Sequence, residues 1–65
     1  ADVTISSDKQ IASVLVYDFT GKLVRIVETN AFETKIDMSA LATGFYTFTV
    51  TMSDKTQSTM KVVKE

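Results

Sequence analysis

Between Ile36 and Val50 the chain reads IDMSALATGFYTFTV, which compresses a strand, a tight corner and a second strand into fifteen residues. Ile36 and Met38 alternate with polar neighbours, Ser39 can cap a short turn, and Gly44 can take the positive φ that a sharp reversal needs. Tyr46, Phe48, Val50 and Met52 then recur with period two, with Thr47, Thr49, Thr51 and Ser53 between and after them. A pleated strand built this way buries one side and leaves a hydroxylated side in water. Ser39–Thr43 is too short for a stable helix, so a single 3₁₀ or α turn is predicted at the corner.

The remaining segments have the same strand-like character. Val3 and Ile5 alternate with Thr4 and Ser6 and predict a short first strand that ends in the polar turn Ser7, Asp8, Lys9. Ile11–Phe19 is nearly continuous in apolar character from Val14 to Tyr17, as expected of a central strand covered on both sides. With Leu23–Val27 it predicts a hairpin closed near Gly21 and Lys22. Glu28–Glu33, polar around Phe32, predicts a loop, and Thr34–Met38 a short strand into the corner. Asp54, Lys55 and Thr56 turn the chain once more before a last strand over Gln57–Lys64. The expected fold is therefore all-β, an antiparallel sandwich of six to seven short strands.

Composition narrows what such a fold can do. Sixty-five residues make a single domain, residues 1–65, and a chain of this size buries only about 60% of its unfolded surface. Cysteine and histidine are absent, which removes disulfides, thiolate chemistry, imidazole bases and nearly all zinc sites. Seven basic and eight acidic residues give a net charge of −1, which offers no electrostatic footprint for nucleic acid or an anionic membrane. No apolar run is long enough for a transmembrane segment, and the amino end lacks the regions of a signal peptide. The chain starts without Met and is expected to be a piece of a longer polypeptide.

Asp37 with Ser39, and Asp8 with Ser6 and Ser7, are the pairs to weigh as catalytic. A nucleophilic serine needs a base, and in a chain without histidine these residues fit turns and caps better. Asp8, Asp18, Asp37 and Asp54 fall in separate turns and match no calcium-loop spacing, so neither a metal nor a cofactor is expected. Tyr46, two residues after Gly44, resembles a tyrosine corner, in which a phenol bonds back to the turn before its strand; its alternative is a plain core aromatic. Phe45 points the other way and is expected to be partly exposed. Lys61 and Lys64, flanking Val62 and Val63, are ordinarily the guards of an exposed edge strand.

Five pieces taken in order carry a resemblance: Val14-Leu15-Val16-Tyr17-Asp18; Gly21-Lys22 with Val24; Ile36-Asp37-Met38-Ser39 with Leu41; Gly44-Phe45-Tyr46; and Lys61-Val62-Val63-Lys64. Together they resemble the carboxyl-terminal sorting domain of proteins exported by the type IX secretion system of Bacteroidetes (type A, the Por secretion family). The resemblance implies an immunoglobulin-like β-sandwich at the extreme end of a secreted cargo. Such a domain is a non-catalytic address label that directs its cargo from the periplasm through the outer-membrane translocon to the cell surface or medium. A sortase-like surface peptidase then usually removes the label, and many cargos are joined to an anionic lipopolysaccharide. Gly44 and Tyr46 fall on the family's GxY element, Gly21 and Lys22 on its central hairpin, and Lys61, Val62, Val63 and Lys64 on the terminal element needed for export. The customary Asn-Pro pair and its strand are missing, and Glu65 extends past the last lysine.

On this reading the last strand offers its edge to a receptor while Lys61 and Lys64 steer the encounter, and reversing both charges leaves the fold intact but lowers export. The isolated domain is expected to be a monomer or weak dimer. Two other readings remain: a generic immunoglobulin-like or fibronectin-like spacer or carbohydrate-binding module of an extracellular enzyme, and a small adhesive subunit that pairs edge strands with a neighbour.

Overall fold

The computed structural model describes residues 2–65, and among them four strands form one antiparallel sheet without a helix. β1 spans Asp2–Asp18, β2 Leu23–Asp37, β3 Gly44–Met52 and β4 Gln57–Lys64. The order across the sheet is β2-β1-β3-β4, which makes β1 and β3 central and β2 and β4 the edges.

The all-β, antiparallel character agrees with the sequence pattern, but the six to seven strands of the expected sandwich are four strands of a single sheet. The predicted polar turn at Ser7–Lys9 and the predicted loop at Glu28–Glu33 lie inside β1 and β2. They interrupt the pairing without ending either strand. Ser6 pairs with Glu33 and Ile11 with Ala31, so Ser7 to Gln10 of β1 face Phe32 alone; Ser13 pairs with Glu28, so Asn30 and Thr29 of β2 face Ala12, one residue in surplus. The polar residues are accommodated as bulges, which bend a strand and increase its twist.

That bend builds the core. A straight 17-residue strand would span about 56 Å at 3.3 Å per residue, whereas the longest dimension of the molecule is 31 Å. The β1–β2 ribbon therefore folds back on itself, and only Ile11–Asp18 of β1 also pair with β3. Ile5, Ile36 and Met38 from the far half of the ribbon join Val14, Val16, Tyr46, Phe48 and Val50 in one buried cluster. One continuous sheet thus supplies every strand residue of the core.

β3 supplies the predicted alternation: Tyr46, Phe48 and Val50 are buried and Met52 packs beside them, while Phe45 is 67% exposed. Thr47, Thr49 and Thr51 are half-buried and not fully wet, because they stand in register with Tyr17, Leu15 and Ser13 on one side and Lys61, Thr59 and Gln57 on the other. The outer side of β1, at Leu15 and Tyr17, is likewise half-buried where cover on both sides was expected.

Three reversals connect the strands. In the β1–β2 loop Gly21 has φ 86°, its amide donates to Asp18 O at 3.0 Å, and the Asp18 amide donates to Lys22 O at 2.9 Å. The β3–β4 loop repeats this arrangement with Lys55 at φ 73°, its amide on Met52 O and the Met52 amide on Thr56 O. The third is the predicted corner, a turn in which the Leu41 amide donates to Met38 O at 3.0 Å.

Candidate functional site at the terminal strand

The end of the sheet that carries the Met38–Thr43 corner gathers most of the residues singled out in the sequence. Gly44 opens β3 in register with Lys64, Phe45 stands opposite Val63, Tyr46 opposite Val62 and Thr47 opposite Lys61. Asp18, from which the Gly21–Lys22 loop departs, is in register with Tyr46 on its other side. Strand alternation then divides the terminal element in two. Val62 and Lys64 turn toward the core side, whereas Lys61 and Val63 lie on the outer face, Val63 being 54% exposed.

Lys64 is bound to the corner. Its ammonium donates to Met38 O at 2.6 Å, to Ser39 O at 3.4 Å and, closest of all, to Leu41 O. A lysine ammonium has three donors and no acceptor, so one cation can serve three carbonyls of a single tight turn. Tyr46 serves the next one: its ring is 7% exposed and its hydroxyl donates to Ala42 O at 2.5 Å. The bond joins the phenol to the turn before its own strand, as the sequence pattern suggests. Gly44 takes φ 151°, a conformation that L side chains rarely adopt, although a Cβ there would meet no atom within 4 Å; the requirement for glycine lies in the backbone.

No side-chain signal marked the carbonyls of Met38, Ser39, Leu41 and Ala42, since backbone acceptors look alike in every sequence. The same holds for a cleft of about 270 Å³ between the two chain ends, walled by Asp2 and Val3 of β1, Met38, and Val62 to Glu65. Arg25 was also missed. It stands on the inner side opposite Val16, and its Nε is buried with no hydrogen-bond partner among the described residues.

Of the aspartates weighed in the sequence, Asp37, Asp18 and Asp54 accept hydrogen bonds at the reversals, whereas Asp8, expected in a turn with Ser6 and Ser7, lies inside β1. Asp37 accepts the Ser39 amide at 2.9 Å; that bond, with the Ser39 side chain and the charge of Arg25 adding to it, holds the carboxyl below the usual range. Asp18 accepts the Thr20 hydroxyl at 2.5 Å and the amides of Thr20 and Lys22, which lower its pKa in the same way. Asp54 accepts the Thr56 hydroxyl and amide and pairs with Lys9 at 3.0 Å, and is lowered to about 2. Each stays ionised across the neutral range, which suits an acceptor and not a proton-transferring acid. Among the described residues no group of three potential ligands is placed to hold a metal, and no helix is long and apolar enough to cross a membrane.

The site thus consists of a corner clamped by the terminal strand and the exposed outer edge of that strand. The family model of secretion system C-terminal sorting domains matches residues 1–65, the whole chain. The chain belongs to this family, the sorting signals of type IX secretion, whose role is targeting and which is not known as catalytic. Membership implies interaction with the type IX system and export to the cell surface or beyond. No curated protein and no solved structure matches the chain.

Proposed function

We propose that residues 1–65 form the last domain of a longer exported protein and that the outer-membrane translocon of the type IX system reads the edge of β4. The observation that carries this reading is the position of β4: it is an edge strand, paired on one side to β3 and with no strand on its other side among the described residues. Such an edge offers main-chain donors and acceptors in a row. Lys61 is exposed on the outer face and supplies a charge that can steer the encounter. The cargo enters the periplasm by its own leader, crosses the outer membrane under direction of this domain, and is then cut from it by a sortase-like surface peptidase and anchored to anionic lipopolysaccharide.

The test is a periplasm-directed fluorescent protein fused ahead of residues 1–65, in a host with and without the type IX machinery. Surface or medium fluorescence that depends on the machinery is expected. Retention in the periplasm despite a folded domain would overturn the reading, as would a parent reading frame that continues with further domains. Lys61→Glu should lower export without moving the melting temperature. The double reversal at Lys61 and Lys64 no longer isolates recognition, because a carboxylate at position 64 would face the carbonyl oxygens that its ammonium now serves.

A further inference from the structure

The two lysines of the terminal element have the same charge but opposite placements. Lys61 is exposed on the outer face, opposite Thr47, and takes part in no ion pair among the described residues. Lys64 is half-buried and spends its three donors on Met38, Ser39 and Leu41, residues 26, 25 and 23 positions earlier in the chain. We infer that Lys64 is a positioning residue: its ammonium locks the end of β4 onto the Met38–Leu41 corner and thereby sets the register and orientation in which Lys61, Val63 and the strand edge are presented. The inference rests on the export reading above and divides its recognition element into a part that holds and a part that is touched.

Two observations make the lock specific to an ammonium. The acceptors are backbone carbonyls of a single turn, converging on one nitrogen, which suits a compact cation with three rotatable donors. A guanidinium carries the same charge in a planar fork, and its donors cannot all leave from one atom. In addition, the corner has little else to hold it. Its one turn bond runs from the Leu41 amide to Met38 O, Asp37 accepts at Ser39, and Tyr46 takes Ala42 O; Ser39, Ala40, Ala42 and Thr43 are exposed. Without Lys64 the tail keeps its backbone pairing to β3, where residue 64 stands opposite Gly44, but loses its side-chain link to the corner.

The experiment compares arginine and methionine at both positions in the reporter fusion, with amide hydrogen exchange at Leu41 read on the same proteins. Lys61→Arg should export normally and Lys61→Met poorly, neither altering Leu41 protection. Lys64→Arg and Lys64→Met should both lower Leu41 protection, by about tenfold, and both lower export. Adding Lys55→Gly, which relieves a positive φ in the distant β3–β4 loop, should recover part of the lost melting temperature but none of the export or Leu41 protection. Normal export of Lys64→Arg, or recovery of Lys64→Met export by Lys55→Gly, would overturn the lock in favour of charge alone or of bulk stability. Failure of the unaltered chain to export its reporter would instead strike the export reading itself.

Discussion

At one end of the sheet the β3–β4 loop is closed mostly by its own residues, with β1 adding the Lys9–Asp54 ion pair and Gln10 O as acceptor of the Ser53 amide. Lys55 reaches Met52, Met52 reaches Thr56, and Thr56 reaches Asp54 with both amide and hydroxyl. At the other end the Met38–Thr43 corner has one turn bond and depends on side chains delivered by the next two strands, the Tyr46 hydroxyl on Ala42 and the Lys64 ammonium on three carbonyls. A self-closed loop forms as soon as its few residues meet. A corner closed from a distance is complete only when the whole sheet is in register, so its integrity reports on the folded state of the entire domain.

The largest effect is expected where that distant closure meets the core. Tyr46→Ala should cost about 3–5 kcal/mol, enough to unfold a domain of this size, whereas Tyr46→Phe keeps the ring and should cost only about 1 kcal/mol for the orphaned carbonyl. Urea denaturation of the two variants measures the difference; equal losses would mean that the ring adds nothing beyond its hydroxyl, and a Tyr46→Phe variant as stable as the parent that the hydroxyl bond contributes nothing. Lys64→Met should follow at about 1.5–3 kcal/mol, the range for hydrogen bonds to a charged group, read as a lower thermal midpoint together with faster exchange at Leu41. A midpoint unchanged from the parent would show that the corner closes without help.

The two self-closed loops give the next pair. Both place a residue at positive φ in the same position, Gly21 in one and Lys55 in the other. Gly21→Ala should cost about 1–2 kcal/mol, and Lys55→Gly should gain no more than about 1 kcal/mol because glycine also gives the unfolded chain more freedom. Differential scanning calorimetry on both variants tests the symmetry, and opposite signs are the expected result.

The smallest effect is the acid response of the β3–β4 loop. The Asp54 carboxyl is lowered from 3.8 to about 2, chiefly by the Thr56 hydroxyl, so its contribution to stability is fully present above pH 4 and is lost as pH falls toward 2. Thr56→Val removes that hydroxyl and should raise the Asp54 pKa, flattening the fall in stability between pH 4 and 2. Carboxylate titration by NMR gives both values directly, and an unmoved Asp54 would mean that the amide and Lys9 suffice.

What was legible in the residues follows the same division. The β3–β4 turn, the bounds of β4, the Gly21 hairpin, the corner and the inward face of β3 all rest on neighbours in sequence, where period and turn chemistry speak directly. The turn expected at Ser7–Lys9 and the loop expected at Glu28–Glu33 are shifts of pairing inside β1 and β2, because polar residues between apolar runs signal a strand end and a bulge alike. Choosing between them depends on whether the partner strand has a matching irregularity, and here each ribbon strand does.

Local patterning by itself determined that this chain folds into antiparallel strands, where it turns, and that it carries no thiol or imidazole for chemistry, because those properties depend on residue type and short-range spacing. The order of the motifs, which the family model matches along the whole chain, likewise marks it as a sorting domain without reference to coordinates. Only the tertiary structure decided that two long bulged strands bring both their halves to one core, and that of two lysines in one short strand the outer is exposed while the inner closes a turn far behind it in the chain. The physical reason is that carbonyl oxygens have no sequence signature, so which cation reaches them is settled by the register of the completed sheet.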